Sequence, residues 1–230
     1  MEMKKFTVSG REAELYPAAS ENSPLAVFNS FSENGGVVRA LREINCPDLN
    51  LLCVKVLDWD RDLSPWYCPP LAKDEAPFAG GADGYLELLL TEILPSARGL
   101  IRGTPSRVCI AGYSLAGLFA LYALYKCDVF DRAASMSGSL WFPNFREYAL
   151  ENPLKRAPDK IYLSLGDREA RTRHPLLKTV QENTEIIAEH FRAQNISVTY
   201  GLEPGNHFKN ADMRSAKGIA AIVRKDVDND

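Results

Sequence analysis

The 230-residue sequence has no run of lysine and arginine. Its 27 basic side chains are set against 30 acidic ones, a formal net charge of −3. A nucleic-acid-binding face needs clustered positive charge, so no nucleic-acid partner is expected. Zinc-knuckle and redox motifs are missing as well, because Cys46, Cys53, Cys68, Cys109 and Cys127 are widely spaced and form no C-x-x-C pair. These read as reduced, mostly buried thiols. The opening residues 1–8 lack the apolar stretch of a secretory leader, which sets the expectation of a cytoplasmic protein. Glycine and proline, at 15 and 14, are too few for collagen-like or low-complexity chain. Only three histidines occur, a scarcity that narrows any search for a general base.

What is present is an ordinary globular composition, 46% apolar and 25% charged, with neither internal repeat nor linker. A single domain spanning residues 1–230 is expected. One uncharged stretch, residues 108–125, is long enough to raise a membrane reading. Cys109, Gly112, Ser114 and Gly117 interrupt it. Its spacing also changes from a strand-like run to helix spacing at Leu115, Leu118, Phe119 and Tyr122. It reads as a buried strand turning sharply into a helix, so no membrane partner is expected.

Along the chain, residues 6–8 and 13–16 read as a hairpin about Ser9-Gly10. Residues 25–28 read as a buried strand, followed by a polar loop (29–36) and a helix carrying Val37, Val38, Leu41 and Ile44. Another strand spans 49–57. The proline- and tryptophan-containing stretch 58–83 reads as structureless. Asp83 is placed to cap a helix ended by Pro95. The strand and helix around Ser114 come next, then short strands at 133–137 and 160–165. An amphipathic helix carries Leu177, Val180, Thr184, Ala188 and Phe191. A strand at 196–202 and a helix from about Asn210 close the chain. Strands alternating with helices predict an α/β fold, a mostly parallel central sheet flanked on both faces, with ligands bound beyond the carboxyl ends of its strands.

Gly112-Tyr113-Ser114-Leu115-Ala116-Gly117 leaves a strand and opens a helix, the setting of a nucleophile elbow. The residues two before and two after the nucleophile must be small for strand and helix to approach; here they are Gly112 and Ala116, alanine adding one methyl group where glycine is usual. A serine hydroxyl needs a base to take its proton, most often histidine. His190 lies within a helix and His174 in a polar loop. His207 follows the last strand in Glu203-Pro204-Gly205-Asn206-His207-Phe208, at the sheet edge where Ser114 would be presented. The base in turn needs a carboxylate, and Leu165-Gly166-Asp167-Arg168-Glu169 offers two. Glu169 is preferred because it lies further past the strand end, where the turn has room to aim it. Asp167 is the alternative, and both acids could instead pair with Arg168, Arg171 or Arg173 at the surface. The order Ser114, acid, His207 is that of α/β hydrolases. Oxyanion donors would be the amides of Leu115 and of Phe31 or Ser30.

With these residues the chain resembles the α/β-hydrolase esterases that include esterase D and the enterochelin esterase-like enzymes. The resemblance runs from Leu25 to about Val223. It rests on the elbow, on Ser137-Gly138-Ser139-Leu140-Trp141, on Leu165-Gly166-Asp167-Arg168-Glu169 and on Pro204-Gly205-Asn206-His207-Phe208. It implies a serine hydrolase acting on carboxylic esters, a siderophore ester among the possible substrates, with no metal or organic cofactor. The chain departs from many relatives at Asn29-Ser30-Phe31, where they carry a His-Gly or Asp-Gly pair, and it is short, with no obvious lid domain expected.

Other motifs fail. Asp58-Trp59-Asp60-Arg61-Asp62 alternates like a calcium loop, but Leu63 replaces the glycine and Pro69 the bidentate glutamate. Gly80-Gly81-Ala82-Asp83-Gly84 lacks the Gly-Lys-Ser/Thr ending of a phosphate loop. Trp59, Trp66, Tyr67 and Trp141 could wall a pocket or simply pack in the core. Arg61, Arg168, Arg171 and Arg173 could favour an anionic substrate or face solvent. Two other readings stay open: acyl transfer to an alcohol other than water, and a binding protein that kept the fold and lost turnover. Product partitioning with added alcohols separates the first from hydrolysis. The oligomeric state is not legible.

Overall fold

The computed structural model describes residues 2–31 and 34–225. Ser32 and Glu33, part of the loop expected after residue 28, lie outside them.

An eight-stranded sheet forms the centre. Its strands are β1 (Lys4–Val8), β2 (Arg11–Tyr16), β3 (Leu25–Ser30), β4 (Asn50–Lys55), β7 (Val108–Tyr113), β8 (Arg132–Met136), β9 (Lys160–Gly166) and β10 (Ser197–Glu203). They are ordered β1-β2-β4-β3-β7-β8-β9-β10. The β1–β2 hairpin is antiparallel and joins β4 antiparallel; every other pairing in this sheet is parallel. β3 and β8 are buried along their whole length, as strands covered on both faces must be. The parallel register pairs Asn29 with Gly112, Tyr113 with Met136, Met136 with Ser164, and Gly166 with Glu203. Five loops, leaving β3, β7, β8, β9 and β10, therefore emerge side by side along one edge.

Helices cover both faces. α1 (Gly35–Glu43) packs on α8 (Ala211–Val223), and α8 crosses β7, β8 and β9. On the opposite face, α5 (Leu115–Lys126) lies over β7 and β8, and α7 (Val180–Ala193) over β9 and β10. α5 is apolar all round and buried from Leu115 to Tyr125, so it needs cover on every side. Its tyrosine hydroxyls find partners: Tyr122 donates to Asp83 at 2.6 Å and Tyr125 to the Ala149 carbonyl at 3.1 Å. Residues 108–125 are thus one strand and one buried helix. Among the described residues no helix is long and apolar enough to cross a membrane. The cysteines are unpaired, with Cys53, Cys68 and Cys109 buried.

Three local expectations are corrected and one helix is added. The stretch 58–83 is not structureless: it holds α2 (Trp59–Asp62) and a two-stranded ribbon, β5 (Tyr67–Cys68) with β6 (Phe78–Ala79). Four-residue and two-residue elements are too short to leave a periodic pattern in sequence. Asp83 does not cap. α3 (Ala82–Leu88) starts from Gly81, and Asp83 instead accepts from Tyr122 and from Lys126 at 3.0 Å, tying α3 to α5. Pro95 does not end the helix either. A π-turn (Leu89–Ile93) intervenes, and α4 (Leu94–Arg98) follows it directly with Pro95 in its first turn. The connection after β8 also contains an unexpected helix, α6 (Phe145–Glu151).

Candidate active site

β7 enters the site with Gly112 and stops at Tyr113. Ser114 then takes φ 58° and ψ −125°, a strained conformation for an L-residue, and α5 begins at Leu115. A Cβ on Gly112 would lie 2.1 Å from the Ala116 carbonyl oxygen, so only glycine fits there. The methyl of Ala116 is accommodated and buried. Backbone bonds hold the turn: Ser114 N–H donates to Met136, and the Ser114 carbonyl accepts from Gly117, Leu118 and Ser139.

His207, half-buried in the loop after β10, meets this serine. Its Nε2 lies 3.0 Å from Ser114 Oγ, and its Nδ1 lies 2.8 Å from Glu169 Oε2. The three predicted residues are thus joined in one hydrogen-bonded line, although 93 positions separate Ser114 from His207. Asp167 is not part of it. Its carboxylate accepts from the Gly205 amide at 2.7 Å and so pins the loop that carries His207. Tyr113 contributes in the same way, donating its hydroxyl to the His207 carbonyl at 2.6 Å.

The Glu169 side chain is only 4% exposed. Burial alone would raise its pKa, but hydrogen bonds from His207, the Gly166 amide and the Ser137 hydroxyl outweigh that and hold it below the ordinary value of 4.5. Ser137 Oγ donates to Oε1 at 2.7 Å and Gly166 N–H to the same oxygen at 2.6 Å. A third donor went unnoticed in the sequence: Arg214, on the buried face of α8, reaches Oε1 at 3.1 Å. Its signal was positional. Arg214 lies one helical turn before Gly218 and two before Ile222, on the stripe that faces the sheet, where a charge must have a partner.

Two cavities flank Ser114, and both are also lined by His207 and Phe208. The larger, about 420 Å³, is bounded by Ser30, Phe31, Trp59 and Val37. The smaller, about 250 Å³, is bounded by Leu71, Trp141, Leu177 and Val180. Trp59 stands edge-on to Phe31 at 5.6 Å. Trp66 packs instead among Phe142, Phe145 and Tyr148, its indole N–H donating to the Pro143 carbonyl at 2.9 Å, and Tyr67 is exposed on the ribbon. None of Arg61, Arg168, Arg171 and Arg173 lines either cavity; Arg61 pairs with Asp58 and Asp62, and Arg168 lies 3.9 Å from Asp167. His174 caps the turn before α7 through the amides of Leu176 and Leu177, and His190 meets Gln194 on the exposed face of α7. Ser30 is buried and Phe31 exposed, and both stand beyond the last β3–β7 pair facing Ser114. The Leu115 amide is the first of α5 and has no carbonyl to meet within its own helix.

Such an arrangement can move a proton from a serine hydroxyl to an imidazole whose far nitrogen is held by a buried carboxylate. That is the chemistry of acyl transfer to oxygen. Comparison with known proteins agrees with the architecture. The model of a family described as "Putative esterase" matches residues 25–211. Over 179 residues the chain is 26% identical to the uncharacterized protein YbbA of Bacillus subtilis (strain 168), covering 74% of this chain and 71% of that one. An IroE-like serine hydrolase from Shewanella oneidensis superposes with a TM-score of 0.79 at 16% identity, over 96% of this chain and 79% of its own. The siderophore hydrolase EstA of Aspergillus nidulans gives 0.75 at 19%, over 96% and 94%. The fold is that of the α/β hydrolases.

Proposed function

The chain belongs to the esterase family whose model spans residues 25–211, and on that premise we propose that it is a serine hydrolase of carboxylic esters. The observation that carries this reading is the position of one imidazole, 3.0 Å from Ser114 Oγ and 2.8 Å from Glu169 Oε2.

In the proposed reaction His207 Nε2 takes the Ser114 proton as Oγ attacks the ester carbonyl. Glu169 accepts from Nδ1, fixing the tautomer and stabilising the imidazolium that forms. The carbonyl oxygen, now negative, is met by the amides of Leu115 and of Phe31 or Ser30; one such donor is typically worth about 100- to 1000-fold in rate. His207 then gives its proton to the departing alkoxide, which leaves as an alcohol. Water attacks the acyl-enzyme, loses a proton to His207, and the carboxylic acid departs as Ser114 recovers its hydrogen. None of these steps calls for a metal or an organic cofactor.

Two apolar cavities meeting at Ser114 suit an ester with a group on each side of its carbonyl. A siderophore ester is one such substrate, in line with the siderophore hydrolase among the structural neighbours. The test is labelling with a serine-reactive fluorophosphonate followed by peptide mapping. A wild-type adduct on Ser114 that is lost in His207→Ala supports the reading; a folded wild-type protein with no adduct there defeats it.

A further inference from the structure

Arg214 lies beneath the acid with its side chain only 2% exposed. A buried charge is costly unless its partners are good, and as a source of net stability a buried ion pair is a weak device. The partners of Arg214 belong to the site. Nη1 reaches Glu169 Oε1 at 3.1 Å, Ser137 Oγ at 3.0 Å and the Tyr113 hydroxyl at 3.3 Å, while Nη2 reaches the Pro204 carbonyl at 3.3 Å. Tyr113 precedes Ser114 and holds the His207 carbonyl; Pro204 opens the loop that carries His207. One guanidinium thus touches the ends of β7, β8 and β9 and the loop after β10. Glycine clears the space: a Cβ on Gly166 would stand 2.9 Å from Arg214 Nη2.

We propose that Arg214 is a positioning residue which occupies Oε1 of Glu169 and reserves Oε2 for His207, its charge lying on the far side of the carboxylate from the ring. The inference rests on the triad reading above. Ser137 Oγ donates to Oε1 and accepts from Arg214, so Oε1 is already taken by three donors: Gly166 N–H, Ser137 Oγ and Arg214 Nη1. The carboxylate cannot rotate toward a second position without losing bonds, which leaves Oε2 fixed on Nδ1.

An imidazolium beside Glu169 is favoured by the carboxylate and disfavoured by the guanidinium behind it. Other charged or titratable groups among the described residues nearby are Tyr113, Asp167 bonded to the Gly205 amide, Arg168 at the surface, the Glu203–Lys217 pair on β10 and α8, Tyr162 on β9 and Tyr200 on β10, and Asp212 of α8, which lines the larger cavity with His207. Removing the Arg214 charge should therefore make His207 easier to protonate. At an effective dielectric constant of about 20, a unit charge about 10 Å away is worth on the order of one pH unit.

The experiment is an NMR titration of the His207 ring in wild type, Arg214→Met, Arg214→Lys and Ser137→Ala, beside the acid limb of kcat/KM on an uncharged aryl ester. Arg214→Met is expected to move both upward by about one unit. Arg214→Lys, which keeps the charge, should restore most of the wild-type profile. Ser137→Ala, which deletes one donor to Oε1, should move it upward by a smaller amount. Folded Arg214→Met and Ser137→Ala proteins titrating like wild type would overturn the proposal; should Arg214→Met fail to fold, Ser137→Ala decides. Because the ring titration needs no turnover, this outcome is separate from failure of the esterase reading, which would show as a missing Ser114 adduct.

Discussion

The two sides of Ser114 are built by different rules. Toward β8, β9 and β10 a polar cluster is buried beside the smaller cavity. Ser137, Glu169 and Arg214 satisfy one another below 5% exposure, and Asp167 clamps the turn before His207. Toward β3 and β4 it is apolar and open: Phe31 is 71% exposed and leans on Trp59 with no directional bond. The contrast teaches where accuracy is needed. In the proposed reaction, proton transfer requires donor and acceptor within hydrogen-bond reach, and on this side His207 and Glu169 are held by directional bonds. A substrate wall needs only to displace water, and apolar contact does that without fixing direction.

The comparison can be broken most sharply at the polar side. Ser114→Ala and His207→Ala should each remove about 10⁵- to 10⁶-fold of kcat on a simple aryl ester, and the double variant should be scarcely worse than either. Additive losses in steady-state assays would mean that the two residues do not work as a unit. Glu169→Gln comes next, with an expected fall of about 10⁴-fold, because an amide can donate to Nδ1 and favour the wrong tautomer. Asp167→Asn should cost far less, since its partner is a backbone amide and not the ring; equal losses in the two variants would reverse the assignment of the acid.

Changes on the apolar side should be gentler and of another kind. Phe31→Ala and Trp59→Ala remove binding shared by ground state and transition state, so KM should rise by about 3- to 10-fold while kcat stays within about twofold. A large kcat effect in Phe31→Ala would show that its backbone moves with its side chain and that the oxyanion donor lies there.

The smallest expected effect is on stability. The pKa of Glu169 is lower folded than its ordinary value of 4.5. The group therefore contributes stability that is fully present above about 4.5 and is lost as the pH falls through the lower folded value. Urea unfolding from neutral pH down to about 3 should show the advantage of wild type over Glu169→Gln shrinking at the acid end. A gap that stays constant with pH would mean that this carboxylate is not stabilised by its partners.

Much of this was legible beforehand where the physics is local. Small residues at Gly112 and Ala116 about Ser114, with a strand before and helix spacing after, can mean little else, since only a sharp bend satisfies both patterns. The position of His207 followed from chain order, because parallel strands bring their carboxyl ends to one edge. Choosing between Asp167 and Glu169 rested on an argument from turn length, and it is the Gly205 amide, remote in sequence, that shows what Asp167 does instead. The suspicion that surface arginines line the mouth found no support. The arginine that reaches Glu169 sits in α8, hidden among apolar residues, and the run through Pro95 depended on a π-turn that no pattern of side chains announces.

By itself, then, the amino-acid order settled the alternation of strand and helix, the sheet that follows from it and the strained bend at Ser114, because each depends on neighbours a few positions apart. Only the folded molecule decided which carboxylate faces the imidazole, which arginine stands behind it and which aromatic rings line a cavity. Those pairings join segments tens to a hundred residues apart, and they depend on strand register and helix rotation, which set where a side chain ends to within an ångström and leave no mark on the local sequence.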